Sequence, residues 1–349
     1  LASLEQITVI APHFKRRLSG VTSTVVQLVP EQVRHGRGIV TLGPGLPDYL
    51  PKIRWRDVHK LWRRPEGCRA RIWHARRNNE MLVGLILKTV FRMPLKLLFT
   101  SAAQRNHSGY TKWLLRQMDG VVATSERSGA FLEVPHTVIR HGVDLSVFRP
   151  PEGPNDLISA TKLPGRYLIG CFGRVRNQKG TDLFVRAMIE LLPRYPEWTA
   201  VVCGRVTREH QEFANGLQAS VAKAGLSDRI CFLGEVDDVK PWYRRLTLYV
   251  APSRNEGFGL TPLEAMASQT AVVASDAGAY AEMIMHGQSG MVVAAGAYEP
   301  LRDAINHYLS EPNSALKDGH RALGYVRENF SLAREAEALE RVYSTLIGV

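Results

Sequence analysis

The stretch "YLIGCFGRVRNQKGTDLF" (residues 167–184) joins an apolar run, a glycine-bounded basic turn and the start of a helical pattern. A short apolar run that feeds a helix through a glycine turn is the opening of a βαβ unit. The same alternation continues downstream through "TAVVCG", "ICFLG", "LTLYVAPS", "AVVASD" and "GMVVA". Upstream it runs through "ITVIAP", "GIVTLG", "ARIWHA", "LKLLFT", "GVVATS" and "HTVIRHG", with helices expected over residues 21–35, 78–91 and 110–118. Strands alternating with amphipathic stretches predict an α/β protein with parallel sheets covered by helices. A Pro-, Gly- and Asp-rich segment, "PPEGPNDLISATKLPG" (150–165), separates the two series. Three parts are therefore expected: a first domain over 1–150, a second over 151–330, and a closing helix over 331–349 that packs back on the first. Each domain reads as doubly wound and Rossmann-like, the two facing a central cleft, with ligands at the carboxyl ends of the strands.

Composition sets the surroundings. A chain of 349 residues with 45% hydrophobic content can fill two cores. Its formal charge of +12 is uneven: residues 1–150 carry 24 Lys and Arg against 10 Asp and Glu, while the remainder is close to neutral. A basic half attracts nucleic acid, an anionic membrane or an anionic substrate. Cys68, Cys171, Cys203 and Cys231 lack metal-type spacing, and the last three fall in apolar runs, as reduced core residues do. No run of about 20 apolar residues and no signal peptide is evident, which predicts a cytoplasmic protein.

Two segments carry chemistry. In "CFGRVRNQKGTDLF", Gly173 and Gly180 loosen the turn, and Arg174 and Lys179 place a planar fork and a point charge beside a helix N-terminus, as a diphosphate cradle requires. In "SRNEGFGLTPLEAM" (253–266), Gly257 and Gly259 permit close backbone approach and Glu256 offers a carboxylate to sugar hydroxyls. Thr261, Pro262 and Glu264 fit a capping box, with Glu264 reaching back to the Thr261 amide. Both segments follow strand ends and are expected to border one crevice. A G-x-G-x-x-G after a strand, a P-loop, H-E-x-x-H, C-x-x-C and a nucleophile elbow are all missing, which argues against a dehydrogenase, NTPase, zinc enzyme or serine hydrolase.

"FGRVRNQKG", "SRNEGFGLTPLEAMASQTAVVASDAGAYAEMI" and "HGQSGMVV" resemble, in order and spacing, the carboxyl-terminal domain of retaining GT-B glycosyltransferases of family 4, and Glu256 and Glu264 match that family's E-x7-E signature. The first domain resembles it more loosely, through "HGVDLSVFRP". "FTSAAQRNHSGYTKWLLRQMDGVVATS" is similar to bacterial lipopolysaccharide core mannosyltransferases that act on an inner-core Kdo sugar. The resemblance implies that Arg174 and Lys179 hold the donor diphosphate, Glu264 the ribose and Glu256 the donor sugar. The backbone of Gly257, Phe258, Gly259 and Leu260, with Gly173 and Gly20, would approach the phosphates. It also implies retention of the anomeric configuration, with no metal ion and no cofactor beyond the nucleotide-sugar.

The first domain departs from the family pattern. Ser19 and Gly20 stand where many relatives have Gly-Gly, and Ser101 or Ala102 where they have His; His107, a few residues on, is the candidate for that role. Gly278 and Ala279 replace another Gly-Gly pair, with Glu282 still in place. Lys15, Arg16 and Arg17 are candidates for an anionic Kdo-lipid acceptor, and Trp62, Arg63, Arg64, Lys88, Arg92 and Lys96 for contact with the anionic cytoplasmic leaflet; no nucleic-acid partner is expected. Two competing readings are a UDP-sugar-dependent enzyme of capsule or exopolysaccharide synthesis, and a catalytically silent membrane- or nucleic-acid-binding protein.

Overall fold

The structure, a computed structural model, describes residues 5–15 and 20–348. The chain divides into two compact units, Leu1–Gly142 with Leu332–Val349, and Val143–Ser331. Each is built on one all-parallel sheet.

The first unit contains β1 (Val9–Pro12), β2 (Ile39–Leu42), β3 (Lys52–Ile53), β4 (Arg71–Ala75), β5 (Leu95–Ser101), β6 (Gly120–Ala123) and β7 (Thr137–Val138), in the order β3-β2-β1-β4-β5-β6-β7. Alternate residues of β1 point to opposite faces: Ile10 joins Trp73 and Leu97 in one core, while Val9 and Ala11 join Val25 and Leu28 in the other. The expected helices form over Gly20–Arg34, Asn78–Thr89 and Gly109–Leu115. The two-residue edge strand β3 and the 3-10 segment Trp55–Trp62 carry no periodic signal.

The Leu332–Ile347 helix buries Leu332, Ala336, Leu339 and Tyr343 in the core shared with Val25 and Val29. Beneath it, Glu335 accepts hydrogen bonds from His141 Nδ1 (2.7 Å) and the Gly142 amide (2.8 Å). Tyr343 Oη meets His74 Nδ1 at 2.7 Å and accepts from Gln32 Nε2 at 3.1 Å.

In the second unit, β8 (Tyr167–Phe172), β9 (Trp198–Cys203), β10 (Ile230–Gly234), β11 (Leu248–Ala251), β12 (Ala271–Ser275) and β13 (Gly290–Val293) lie in the order β10-β9-β8-β11-β12-β13. This is the Rossmann order, and its winding reverses between β8 and β11, which pair directly as Leu248 with Ile169 and Tyr249 with Gly170. Helices on one face bury Phe184 and Met188 with Ile169 of β8; those on the other bury Leu263 and Met266 with Leu168.

The division between the units falls before Val143, not at Pro150. Val143 and Phe148 belong to a core of the second unit, and the Val143 amide donates to the Phe330 carbonyl at 2.8 Å. The Pro-rich segment reads as a linker by composition, yet it is fastened to that unit by Asp156, which accepts from Arg244 Nε at 2.6 Å. Cys171 and Cys203 are buried, and burial pushes their thiols up to about 12 and about 11; Cys231, expected in the core, is half-exposed on the edge strand β10.

Candidate functional site

The β8–β11 reversal places two loops side by side. The loop after β8 carries Gly173 to Gly180, and the loop after β11 carries Pro252 to Leu260. Their close approach depends on Gly180, which has φ +69° and whose missing Cβ would lie 1.9 Å from the Pro252 carbonyl oxygen. Arg254 then clamps them. Its Nη1 and Nη2 each donate to Asp182 at 2.7 Å, Nη1 also reaches the Asn177 carbonyl at 2.6 Å, and its amide donates to the Gln178 carbonyl at 2.9 Å. Paired donation to a carboxylate fixes orientation as well as distance.

Within this frame Lys179 Nζ is ion-paired with Glu256 Oε2, both side chains about one-fifth exposed. Tyr280 donates to the same oxygen at 3.3 Å, and Glu256 Oε1 accepts from the Gly257 amide at 3.1 Å. Gly259, at φ +83°, lies against the Tyr280 ring, where a Cβ would come within 2.3 Å. Arg174 is exposed and has no ion pair among the described residues. Sequence reasoning missed Arg176, which is half-buried with an unpartnered Nε; burial, and then Arg174 beside it, lowers its pKa. Lys179 is thus paired with Glu256, and Arg176 acts on Glu256 through its charge.

Glu264 does not form the expected capping box. The helix runs Thr261–Ala267 with Leu260 as its N-cap, so Thr261 is already helical, and the Glu264 carboxylate accepts from Tyr243 Oη at 2.7 Å instead. Burial raises its pKa, opposed by the Tyr243 hydrogen bond and by Lys179. Tyr243 packs edge-on against Phe172, the last residue of β8, at 4.9 Å. Each signature carboxylate is therefore held by a buried tyrosine that no local pattern marks. Phe258 is buried in the core, and its carbonyl accepts from the Ala279 amide at 3.3 Å. Gly257 and Leu260 are half-buried, as is Glu282.

In the first unit, Gly20 opens its helix and Lys15 is exposed; Arg16 and Arg17 lie outside the described residues. His107 is half-buried with Nε2 unpartnered, and burial, reinforced by Arg105, lowers its pKa. His13, which follows β1, carries no sequence signal. It is fully buried, Nδ1 accepts from Arg77 Nη1 at 3.0 Å, and burial with the Arg77 charge lowers its pKa to about 4. Arg77 in turn donates to the buried Glu80 at 2.9 Å. Among the described residues no three His, Cys, Asp or Glu side chains converge as a metal site.

Residues 166–311 match the model of the family "Glycosyl transferases group 1". Over 348 residues, covering 100% of this chain and 99% of the relative, the sequence is 67% identical to the lipopolysaccharide core biosynthesis mannosyltransferase LpcC of Rhizobium leguminosarum bv. viciae. It is 49% identical to LpsB of Rhizobium meliloti, of the same description, over 99% of this chain and 100% of that one. The crystal structure of a glycosyltransferase from Rickettsia africae superposes with a TM-score of 0.82, at 19% identity and 98% coverage of each chain, which bears on the fold alone. The chain belongs to the group 1 glycosyltransferases and has the GT-B fold. The particular relatives it shares most sequence with, among those named, are LpcC and LpsB.

The raised pKa of Glu264 has a consequence for stability. The folded state favours the neutral acid, so this group's contribution is full below its ordinary value of 4.5 and is lost as pH rises through the elevated folded value. Glu264→Gln is therefore expected to gain stability relative to wild type between pH 4 and pH 7, by about 1.4 kcal/mol for every pH unit that separates the folded value from the ordinary one. Urea unfolding at pH 4 and pH 7 checks this; a difference that is constant or shrinks with pH contradicts it.

Proposed function

We propose that this glycosyltransferase moves mannose from GDP-mannose, with retention of configuration, onto a Kdo-containing lipid A acceptor of the lipopolysaccharide core, at the inner face of the cytoplasmic membrane. The observation that carries the reading is the Lys179–Glu256 pair beside Arg174 at the β8–β11 reversal. The descriptions of LpcC and LpsB support mannose and the core polysaccharide.

In this reading the donor diphosphate lies against Arg174 and Lys179. Both cations stabilise the negative charge that grows on the leaving nucleoside diphosphate, so they favour the transition state over bound donor. Glu256, held by Tyr280 and the Gly257 amide, accepts hydrogen bonds from hydroxyls of the sugar. Glu264 accepts from the ribose. The acceptor hydroxyl attacks from the face the leaving group departs, and a phosphate oxygen takes its proton, so the reaction needs neither a protein base nor a metal ion. His107, half-buried and kept neutral, is a donor or acceptor suited to the acceptor side, as are Gly20 and the basic first loop with Lys15, Arg16 and Arg17.

Membrane contact is assigned to a narrower face than the sequence suggests. Lys88 and Lys96 share Asp119 at 2.6 and 3.4 Å, which weakens their claim as lipid ligands. Trp62 and Phe91 remain exposed, joined by a 2.6 Å hydrogen bond from Trp62 Nε1 to the Phe91 carbonyl, with Val90 70% exposed beside them and Arg63, Arg64 and Arg92 around them. Apolar side chains ringed by arginine suit an anionic interface. No helix among the described residues is long and apolar enough to cross a membrane.

With EDTA present, GDP-mannose at 100 times its dissociation constant should raise the melting temperature by roughly 4–7 °C, and Lys179→Met should lower kcat about 100-fold or more. Stabilisation by UDP-sugars instead discards mannose; no response to any nucleotide discards the transferase reading. For the membrane face, flotation with anionic vesicles at low salt should be lost in the double variant Val90→Glu, Phe91→Glu; equal flotation of variant and wild type sinks that assignment.

A further inference from the structure

A groove of about 1160 Å³ runs along the β2–β3 edge of the first sheet, larger than the roughly 300–1,000 Å³ of ordinary small-molecule pockets. Gly38, before β2, and Pro44, beyond its end, both line it. It meets β2 at Ile39 and Val40, while Thr41 and Leu42 are covered by their pairing with β3. Three large apolar side chains stand exposed on its walls: Tyr49 at 69%, Trp55 at 52% and Val33 at 44%. The largely buried Val40, Leu50 and Ile53 also line it.

The charged groups along the groove are mostly spoken for. Arg37 donates to Glu340 at 2.7 Å and to Thr8 at 3.2 Å, and Lys52 is paired with Asp48 at 2.7 Å. Arg54 is exposed and has no ion pair among the described residues. Together with Trp55 it follows β3, at the carboxyl end of the strands, where open α/β sheets carry their ligands. An added peptide strand fits poorly, because β3 is two residues long and is preceded by Pro51. A long apolar trough with such a cation at one end matches an amphiphile that carries one negative head group, and residues 1–150, with a net charge of +14, favour the anionic kind.

We propose that this groove seats one acyl chain of the anionic lipid acceptor, the chain lying between Val33, Tyr49 and Trp55 at the β2–β3 edge and the head group at Arg54. The inference rests on the glycolipid reading above and adds to it a subsite for the lipid itself. An acceptor held by its chain presents its sugar in a restricted range of positions, so the subsite contributes orientation as well as affinity.

The test is calorimetric titration of the full chain with butyl, hexyl, octyl, decyl and dodecyl phosphate below their aggregation concentrations. Affinity should rise about fourfold per methylene, the factor that corresponds to ~0.8 kcal/mol for each buried CH₂. Val33→Glu, at an exposed helical position, should flatten the series and Arg54→Ala should weaken every member by a similar factor, while Leu316→Glu, at an exposed position of the second unit, should leave the slope unchanged. A flat series in wild type overturns the proposal, as does a slope that survives Val33→Glu or disappears in Leu316→Glu. GDP-mannose binding, measured on the same samples, separates the two failures: nucleotide binding with a flat series sinks the groove alone, and a chain-length slope without nucleotide binding sinks the transferase reading and leaves an acyl-binding groove.

Discussion

The site of the second unit depends on one ion pair, Lys179 with Glu256, held in place by a frame built around it. Each partner comes from a different strand of the β8–β11 reversal, so the pair exists only because the sheet changes winding direction there. The frame is demanding in sequence terms: glycine at 180 to let the loops touch, Arg254 on Asp182 to lock them, and Tyr280 to orient the carboxylate. Removing one partner of such a pair leaves the other partly desolvated and uncompensated, which costs more than the pair itself gains. Arg176 also acts on Glu256 by charge, with Arg174 beside Arg176. Cations grouped in this way suit an anionic ligand.

The two units divide the chemistry by charge and by polarity. The second carries Arg174, Arg176 and Lys179 on the loop after β8, at the carboxyl end of a central strand of its sheet. In the first, many basic groups are consumed by structure: Lys88 and Lys96 on Asp119, Arg37 on Glu340, Arg77 on Glu80 and His13. Among those left exposed, Arg54 neighbours Trp55 in sequence, and Arg63 and Arg92 neighbour Trp62 and Phe91. Such pairing of cation and apolar surface is what an amphiphilic anion selects.

Much of this is legible in the sequence because it is written in short-range pattern. Eleven apolar runs mark the longer strands, since a strand buried on both faces must be nearly continuous in apolar residues, and a twelfth, "HTVIRHG", marks the two-residue β7. Arg174, Lys179 and Glu256 are legible because loops after such strands are where ligands bind. β3 and the Trp55–Trp62 segment are not, because two residues and a 3-10 turn carry no period. Glu264 reads as a cap because Thr-Pro-x-Glu satisfies the local rule, while Tyr243, twenty-one residues away, supplies a better donor through tertiary packing. The boundary near Pro150 fails for a similar reason: composition marks irregular backbone, and only the packing of Val143 and Phe148 shows which unit owns it.

The most direct test of the ion pair's role is calorimetric binding of GDP, which has the diphosphate but no sugar, to wild type, Lys179→Met, Glu256→Gln and the double variant. If Glu256 holds Lys179 in readiness and competes with the diphosphate for it, Lys179→Met should weaken GDP binding by about 100-fold, and Glu256→Gln should bind GDP as tightly as wild type or more tightly while losing transfer activity. In the double variant the gain from Glu256→Gln should vanish. Equal weakening of GDP binding by both single variants would contradict this division of labour and place Glu256 in the diphosphate site itself.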